Sequence, residues 1–170
     1  KQSLRVVVFL GRDGEGLNLT YEVSNGILKH SNGKGLIVPE TKADRADTFE
    51  GQVVRVSDVI AYVNHDLDDA LRAGVMKRSD IPKNIIKTLG ETHAKRIDTM
   101  VKDVIYRSAL LDLETILMSD AILASTTMLR DFLYKRVYES DKIIREFKKA
   151  QKILRDLYAY YLEHMEEVFV

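Results

Sequence analysis

An all-α fold is what this sequence predicts, and three observations predict it. Apolar residues recur at helical spacing almost everywhere along the 170 residues. The chain has only two prolines, so almost nothing interrupts that spacing. No run alternates apolar and polar residues between turn signals, as a half-buried strand would.

The elements follow in order. Leu4, Val7 and Val8 start an amphipathic helix that runs to Leu10. Gly11-Arg12-Asp13-Gly14-Glu15-Gly16 reads as a loop. Thr20 is placed to cap a helix ending about His30, whose imidazole suits the negative end of the helix dipole. Residues 31–47 are polar, contain glycine and are interrupted by Pro39, so they read as a long loop with scope for movement. A helix over 48–72 comes next. Ser79 and Asp80 before Pro82 open a short helix that stops at Gly90. Three longer helices are expected at roughly 91–111, 120–138 and 141–166.

Composition narrows the class without fixing the function. Hydrophobic residues make up 45% and charged residues 31%, a globular balance. The net charge of +0 supplies no global field to recruit nucleic acid or an anionic membrane. The absence of cysteine excludes disulfides and zinc–thiolate sites, and suits a reducing cytoplasm. No apolar run approaches the roughly 20 residues of a membrane span. The chain starts inside an amphipathic helix and without methionine, as a fragment would.

The chemistry concentrates in residues 57–70, which hold four aspartates, a tyrosine and a histidine but no lysine, arginine or glutamate. On a helix, Val56, Ile60, Val63, Leu67 and Leu71 share an apolar face, and Asp58, Tyr62, His65, Asp66 and Asp69 fall opposite. A solvated face ordinarily mixes signs, because Glu–Lys pairs support a helix and Asp does not. One sign carried by poor helix formers points to something positive, such as a metal ion, or to a hydroxyl-rich ligand against the stripe. The competing interpretation is a stripe that is simply wet.

The stretch Thr48-Phe49-Glu50-Gly51-Gln52-Val53-Val54-Arg55-Val56-Ser57-Asp58-Val59-Ile60-Ala61-Tyr62-Val63-Asn64-His65-Asp66-Leu67-Asp68-Asp69-Ala70 resembles the fourth-ligand helix of the bacterial dGTPase-like branch of the HD-domain phosphohydrolases. Gln2-Ser3-Leu4-Arg5-Val6-Val7, Gly16-Leu17-Asn18-Leu19-Thr20 and Gly26-Ile27-Leu28-Lys29-His30 are similar to that family in the same order. So are Leu129-Arg130-Asp131-Phe132 and Leu157-Tyr158-Ala159-Tyr160-Tyr161 near the other end. The resemblance implies the carboxy-terminal part of a multi-helical HD-type bundle. Residues 1–72 would complete the catalytic core, and residues 73–170 would form a helical extension packed on it.

It also implies a metal-dependent hydrolysis of deoxynucleoside triphosphate to deoxynucleoside and tripolyphosphate, with Mg²⁺ or Mn²⁺. Asp58 then corresponds to the distant metal ligand, Tyr62 to the residue packed on the deoxyribose, and Asp66 to the carboxylate that accepts from the sugar 3′-hydroxyl. Steps of four residues rise about 6 Å each, which spans phosphate to sugar. His65-Asp66 is a literal His-Asp pair, but the resemblance puts the metal-binding pair upstream, so His65 reads as pocket-lining or solvated. The other ligands and the catalytic histidine would precede Lys1, leaving this fragment with no catalytic residue and inactive alone. One departure is Val59, where relatives often carry a basic residue that reaches phosphate.

Weaker signals read blandly. The glycine-rich stretches at 11–16 and 33–35 lack the strand and the Lys-Ser/Thr ending of a phosphate loop. His93 and His164 read as surface residues. Eight Lys or Arg against three acids between 135 and 155 read as a solvated basic face before a nucleic-acid contact. The resemblance implies a dNTP substrate and a homo-oligomer. The alternative is a non-catalytic helical interaction or nucleic-acid-binding module on the same scaffold.

Overall fold

A computed structural model describes residues 2–31, 33–110 and 114–168. Among these residues there are seven α-helices and no strand, so the fold is all-α. The helices are α1 (Gln2–Arg5, continued by a π turn over Val6–Leu10), α2 (Tyr21–Lys29), α3 (Phe49–Arg72), α4 (Lys83–Leu89), α5 (His93–Ala109), α6 (Asp120–Leu133, followed by a π turn over Tyr134–Tyr138) and α7 (Asp141–Glu163). By contacts the chain divides into one unit to Arg130 and a second from Asp131. Among the described residues, no helix is long and apolar enough to cross a membrane.

Helix α3 organises the first unit, and its sequence explains why. Thr48 caps it, accepting from the Gly51 amide at 3.1 Å, and Glu50 in the first turn and Arg72 in the last complement the helix dipole. Its apolar stripe is buried: Val56 is 3% exposed, Ile60 6%, and Val63 and Leu67 0%. Each such side chain contributes about 1.5–3 kcal/mol relative to exposure. Leu71, expected on that face, is only half-buried, because the helix ends one residue later. Val59 joins the core at 8% exposure.

Helix α2 crosses α3 where two glycines meet. A Cβ added to Gly51 would lie 3.2 Å from the Gly26 Cα, so the close approach of the backbones depends on Gly51 having no side chain. Thr20 caps α2 as expected, accepting from the Val23 amide at 3.5 Å. On the other side, α5 packs on α3 through Met100, which is fully buried, and through Asn64 and Arg96.

The loop between α2 and α3 is tied down along its length. Arg55 donates to the carbonyls of Lys29 at 2.7 Å, Leu36 at 2.5 Å and Ile37 at 3.0 Å. Arg130 donates to the Gly35 carbonyl at 2.6 Å, and Ile37 and Ala46 are each 3% exposed. Scope for movement was the expectation. The structure instead supplies side-chain donors for the loop's carbonyls, which is what a buried irregular backbone requires. Gln52 fastens a second irregular segment, its Oε1 accepting from the Thr115 hydroxyl and the Ile116 amide.

In the second unit, Ser140 caps α7 by accepting from the Ile143 amide at 3.5 Å. No residue of α7 is buried, and Phe147, Leu154 and Tyr158 are each more than two-thirds exposed. The helix ends at His164, whose ring stacks on Tyr160 with centroids 4.1 Å apart.

Candidate functional site

Burying one face of α3 obliges the other to look outward. Asp58 is exposed, and Tyr62 and Asp66 are half-buried one and two turns further on. The three therefore lie in a row with about 6 Å of rise between neighbours. Asp58 makes no hydrogen bond or ion pair among the described residues, so its carboxylate is open to an outside partner. A carboxylate oxygen is a hard donor and suits Mg²⁺ or Mn²⁺. Among the described residues, no three or more His, Cys, Asp or Glu gather as a metal site, so Asp58 could hold a cation only together with ligands from outside them.

The other motif residues of α3 belong to the scaffold. Gln52 and Arg55 hold the adjoining segments, as described above. Asn64 is fully buried, donating to the Ile60 carbonyl at 2.8 Å and accepting from Arg96 Nε at 2.8 Å. Subtracting these from the motif leaves Asp58, Tyr62, His65 and Asp66 as its outward chemistry.

Much of the stripe's negative charge is answered from within the chain. Arg96 donates to Asp68 at 2.9 Å from a side chain that is 4% exposed. Arg72 pairs with Asp69 at 2.6 Å on the open surface. The positive partner expected from one-signed composition is thus a guanidinium at two of the four aspartates. Sequence reasoning missed Arg96 because it comes from another helix, 28 positions beyond Asp68.

His65 is exposed and outward, its Nδ1 within 2.8 Å of the Ala61 carbonyl. Its ring lies 5.0 Å from that of His93. Here the surface expectation for His93 needs correction. His93 is half-buried, and its Nε2 is shielded from solvent with no hydrogen-bond partner among the described residues. Its burial follows from its place at the start of α5, against α3, which spacing along the sequence could not reveal. Val59 is buried, so the position where relatives often place a basic residue faces the core here and offers no grip on phosphate.

Known proteins are similar to this chain. Residues 116–169 match the family described as a phosphohydrolase-associated domain. Nearly the whole chain is similar to deoxyguanosinetriphosphate triphosphohydrolase-like proteins. With that of Desulfatibacillum aliphaticivorans it shares 50% identity, over 98% of this chain and 48% of the relative. With those of Caldanaerobacter subterraneus subsp. tengcongensis and Clostridium tetani it shares 45% and 43%, over 99% and 98% of this chain and 46% and 47% of the relatives. The chain spans about half the length of the curated relatives it matches, in keeping with a carboxy-terminal part. Along nearly its whole length the chain is thus similar to deoxyguanosinetriphosphate triphosphohydrolase-like proteins, and its last third matches a phosphohydrolase-associated domain.

Proposed function

We propose that this chain is part of a cytoplasmic, metal-dependent deoxynucleoside triphosphate triphosphohydrolase that works as a homo-oligomer. In this reading residues 1–72 complete its catalytic core, and residues 73–170 are a helical extension. Water attacks the α-phosphorus, the bond to the sugar oxygen breaks, and deoxynucleoside and tripolyphosphate leave. The observation that carries the proposal is the outward row Asp58, Tyr62, Asp66 at one-turn spacing, on a helix whose remaining motif residues hold the fold together.

Asp58 would hold a divalent cation together with ligands from elsewhere in the protein. Such a cation orients the phosphate and lowers the pKa of bound water. Tyr62 offers an aromatic surface to the deoxyribose, and Asp66 an acceptor for its 3′-hydroxyl. With one ligand of the set, this chain alone would be inactive.

The test uses the full-length protein. Asp58→Ala should remove bound metal and abolish turnover. Asp66→Ala should keep metal but lose about 1.5–3 kcal/mol of substrate interaction, roughly 10- to 150-fold in dNTP hydrolysis. A solvated stripe predicts both variants within about 0.5 kcal/mol of the parent, and that result would sink the proposal. Metal loss from the Asp66 variant alone would show the two roles to be exchanged.

A further inference from the structure

A second feature of the first unit is an open cleft of about 500 Å³ lined by His65, Asp68, Leu71, Arg72, Arg78 and His93. It lies at the carboxy-terminal end of α3, beside the short turn Arg78–Asp80 and the first residue of α5. His65 is seven residues beyond Asp58, about 10 Å along the helix. The cleft is therefore displaced from the proposed metal ligand.

Its charges are mostly positive and mostly uncommitted. Asp68, the one acid in the lining, already accepts from the buried guanidinium of Arg96. The Arg78 side chain is exposed and makes no hydrogen bond or ion pair among the described residues. Among the described residues Arg72 is held only by Asp69, in a pair whose side chains are 75% and 68% exposed. Pairs of that kind are worth about 0–1 kcal/mol, so an incoming anion can replace Asp69.

The imidazoles supply the second observation. Buried polar atoms are almost always hydrogen-bonded, yet His93 Nε2 is shielded and has no partner among the described residues. It sits beside His65, with ring centroids 5.0 Å apart, at the wall of a cleft that carries two guanidiniums. His93 is also the first residue of the 17-residue helix α5, where the helix dipole favours negative charge. A cation fits these surroundings poorly. Two imidazoles and Asp68 could be imagined around a metal, but Asp68 is engaged by Arg96, and Arg72 and Arg78 would repel the ion.

We propose that this cleft is a second binding site, for a phosphate group, gripped by Arg72 and Arg78 with His65 and His93 donating from beneath. The phosphate is either free or carried on a nucleotide. The proposal stands apart from the hydrolase reading, because it invokes none of Asp58, Tyr62 or Asp66.

Histidine ring signals of the full-length protein, followed by NMR at pH 6 and matched ionic strength, provide the test. Titration with inorganic phosphate should move the His65 and His93 signals together and to saturation. Arg78→Gln should weaken the dissociation constant about tenfold or more, as expected for a lost charge-assisted hydrogen bond. Arg72→Gln should act in the same direction. A parallel titration with dAMP identifies the source: saturation at lower concentration than with inorganic phosphate means that the phosphate arrives on a nucleotide. Deoxyadenosine should leave the His93 signal unmoved, even if a sugar bound at Asp66 shifts that of neighbouring His65. Asp58→Ala should leave the response to inorganic phosphate intact, so failure of the hydrolase reading would not be mistaken for failure of this one. Silent His65 and His93 signals, or equal saturation in an Arg72→Gln, Arg78→Gln double variant, would overturn the proposal. Both arginines are exposed, so loss of fold does not confound the result.

Discussion

Both halves of α3 rest on a buried guanidinium, but the two groups are satisfied in different ways. In the amino-terminal half, Arg55 leaves the helix and donates to three main-chain carbonyls, those of Lys29, Leu36 and Ile37. In the carboxy-terminal half, Arg96 enters from α5 and takes the Asn64 side chain, the Asp68 carboxylate and the Glu91 carbonyl. The difference follows from what surrounds each one. Beside Arg55 runs an irregular loop whose carbonyls have no helix or sheet to satisfy them, and a guanidinium with five donors can serve three at once. Beside Arg96 lie two helices with their backbones already paired, so it bonds mainly to side chains. Burial accordingly holds the Arg55 guanidinium below its ordinary pKa, with only the charge of nearby Asp44 acting the other way. Arg96 has a carboxylate in contact.

Removing Arg55 should therefore have the larger effect. Arg55→Ala strips donors from three carbonyls of a partly buried loop, and we expect a loss of about 3–5 kcal/mol in urea unfolding. Hydrogen exchange should show lost protection around residues 33–47 before the rest of the unit opens. Arg55→Lys should recover little, since an ammonium cannot reproduce the planar fork. A loss below about 1 kcal/mol would mean that Ile37, Ala46 and the Arg130–Gly35 hydrogen bond hold the loop without Arg55, and the contrast would collapse.

A double-mutant cycle sharpens the other side. Arg96→Ala should cost about 2–4 kcal/mol, because it leaves Asn64 Oδ1 buried without its donor and breaks the pair with Asp68. Asp68→Asn should cost about 1 kcal/mol, since that side chain is 32% exposed and water can replace the partner. The coupling between them should be about 1–3 kcal/mol. Zero coupling would show that Arg96 is held by Asn64 and the Glu91 carbonyl, and that its carboxylate is incidental.

This contrast also marks how far the sequence could be read. Helices, the Thr20 cap and the buried stripe of α3 were legible because period and capping are local, and Thr48 and Ser140, not singled out in the sequence, cap by the same local chemistry. The outward row of Asp58, Tyr62 and Asp66 was legible for the same reason, as members of a single helix. The arginine contacts were not. Arg55 reads as an ordinary helix residue until the loop is wrapped over it, and Arg96 meets Asp68 only after α4 turns the chain back. The shielding of His93 Nε2 was not legible because it comes from packing against α3 and not from neighbours in sequence. Long-range polar pairing leaves no periodic trace, so buried charge and the cleft beside it emerged only from the structure.

The smallest effects are expected at the glycine crossing that seats the amino-terminal half of α3, and there even the sign should differ between partners. Alanine is favoured over glycine inside a helix by about 0.5–1 kcal/mol. At Gly26 the added methyl would lie 3.5 Å from the Gly51 Cα, an ordinary contact, so Gly26→Ala should stabilise by roughly that amount. At Gly51 the methyl would lie 2.6 Å from the Ala46 Cβ and 3.2 Å from the Gly26 Cα. Ala46 cannot easily yield: it is 3% exposed, and its carbonyl accepts from Gln52 Nε2 at 3.1 Å. Overpacking of this kind costs about 1–3 kcal/mol, which exceeds the helical gain, so Gly51→Ala should destabilise by about 1 kcal/mol. Urea midpoints of the two variants decide the matter. If both substitutions stabilise, the crossing is looser than the contacts of Gly51 imply, and Arg55 would be left as the main restraint on that half of the helix.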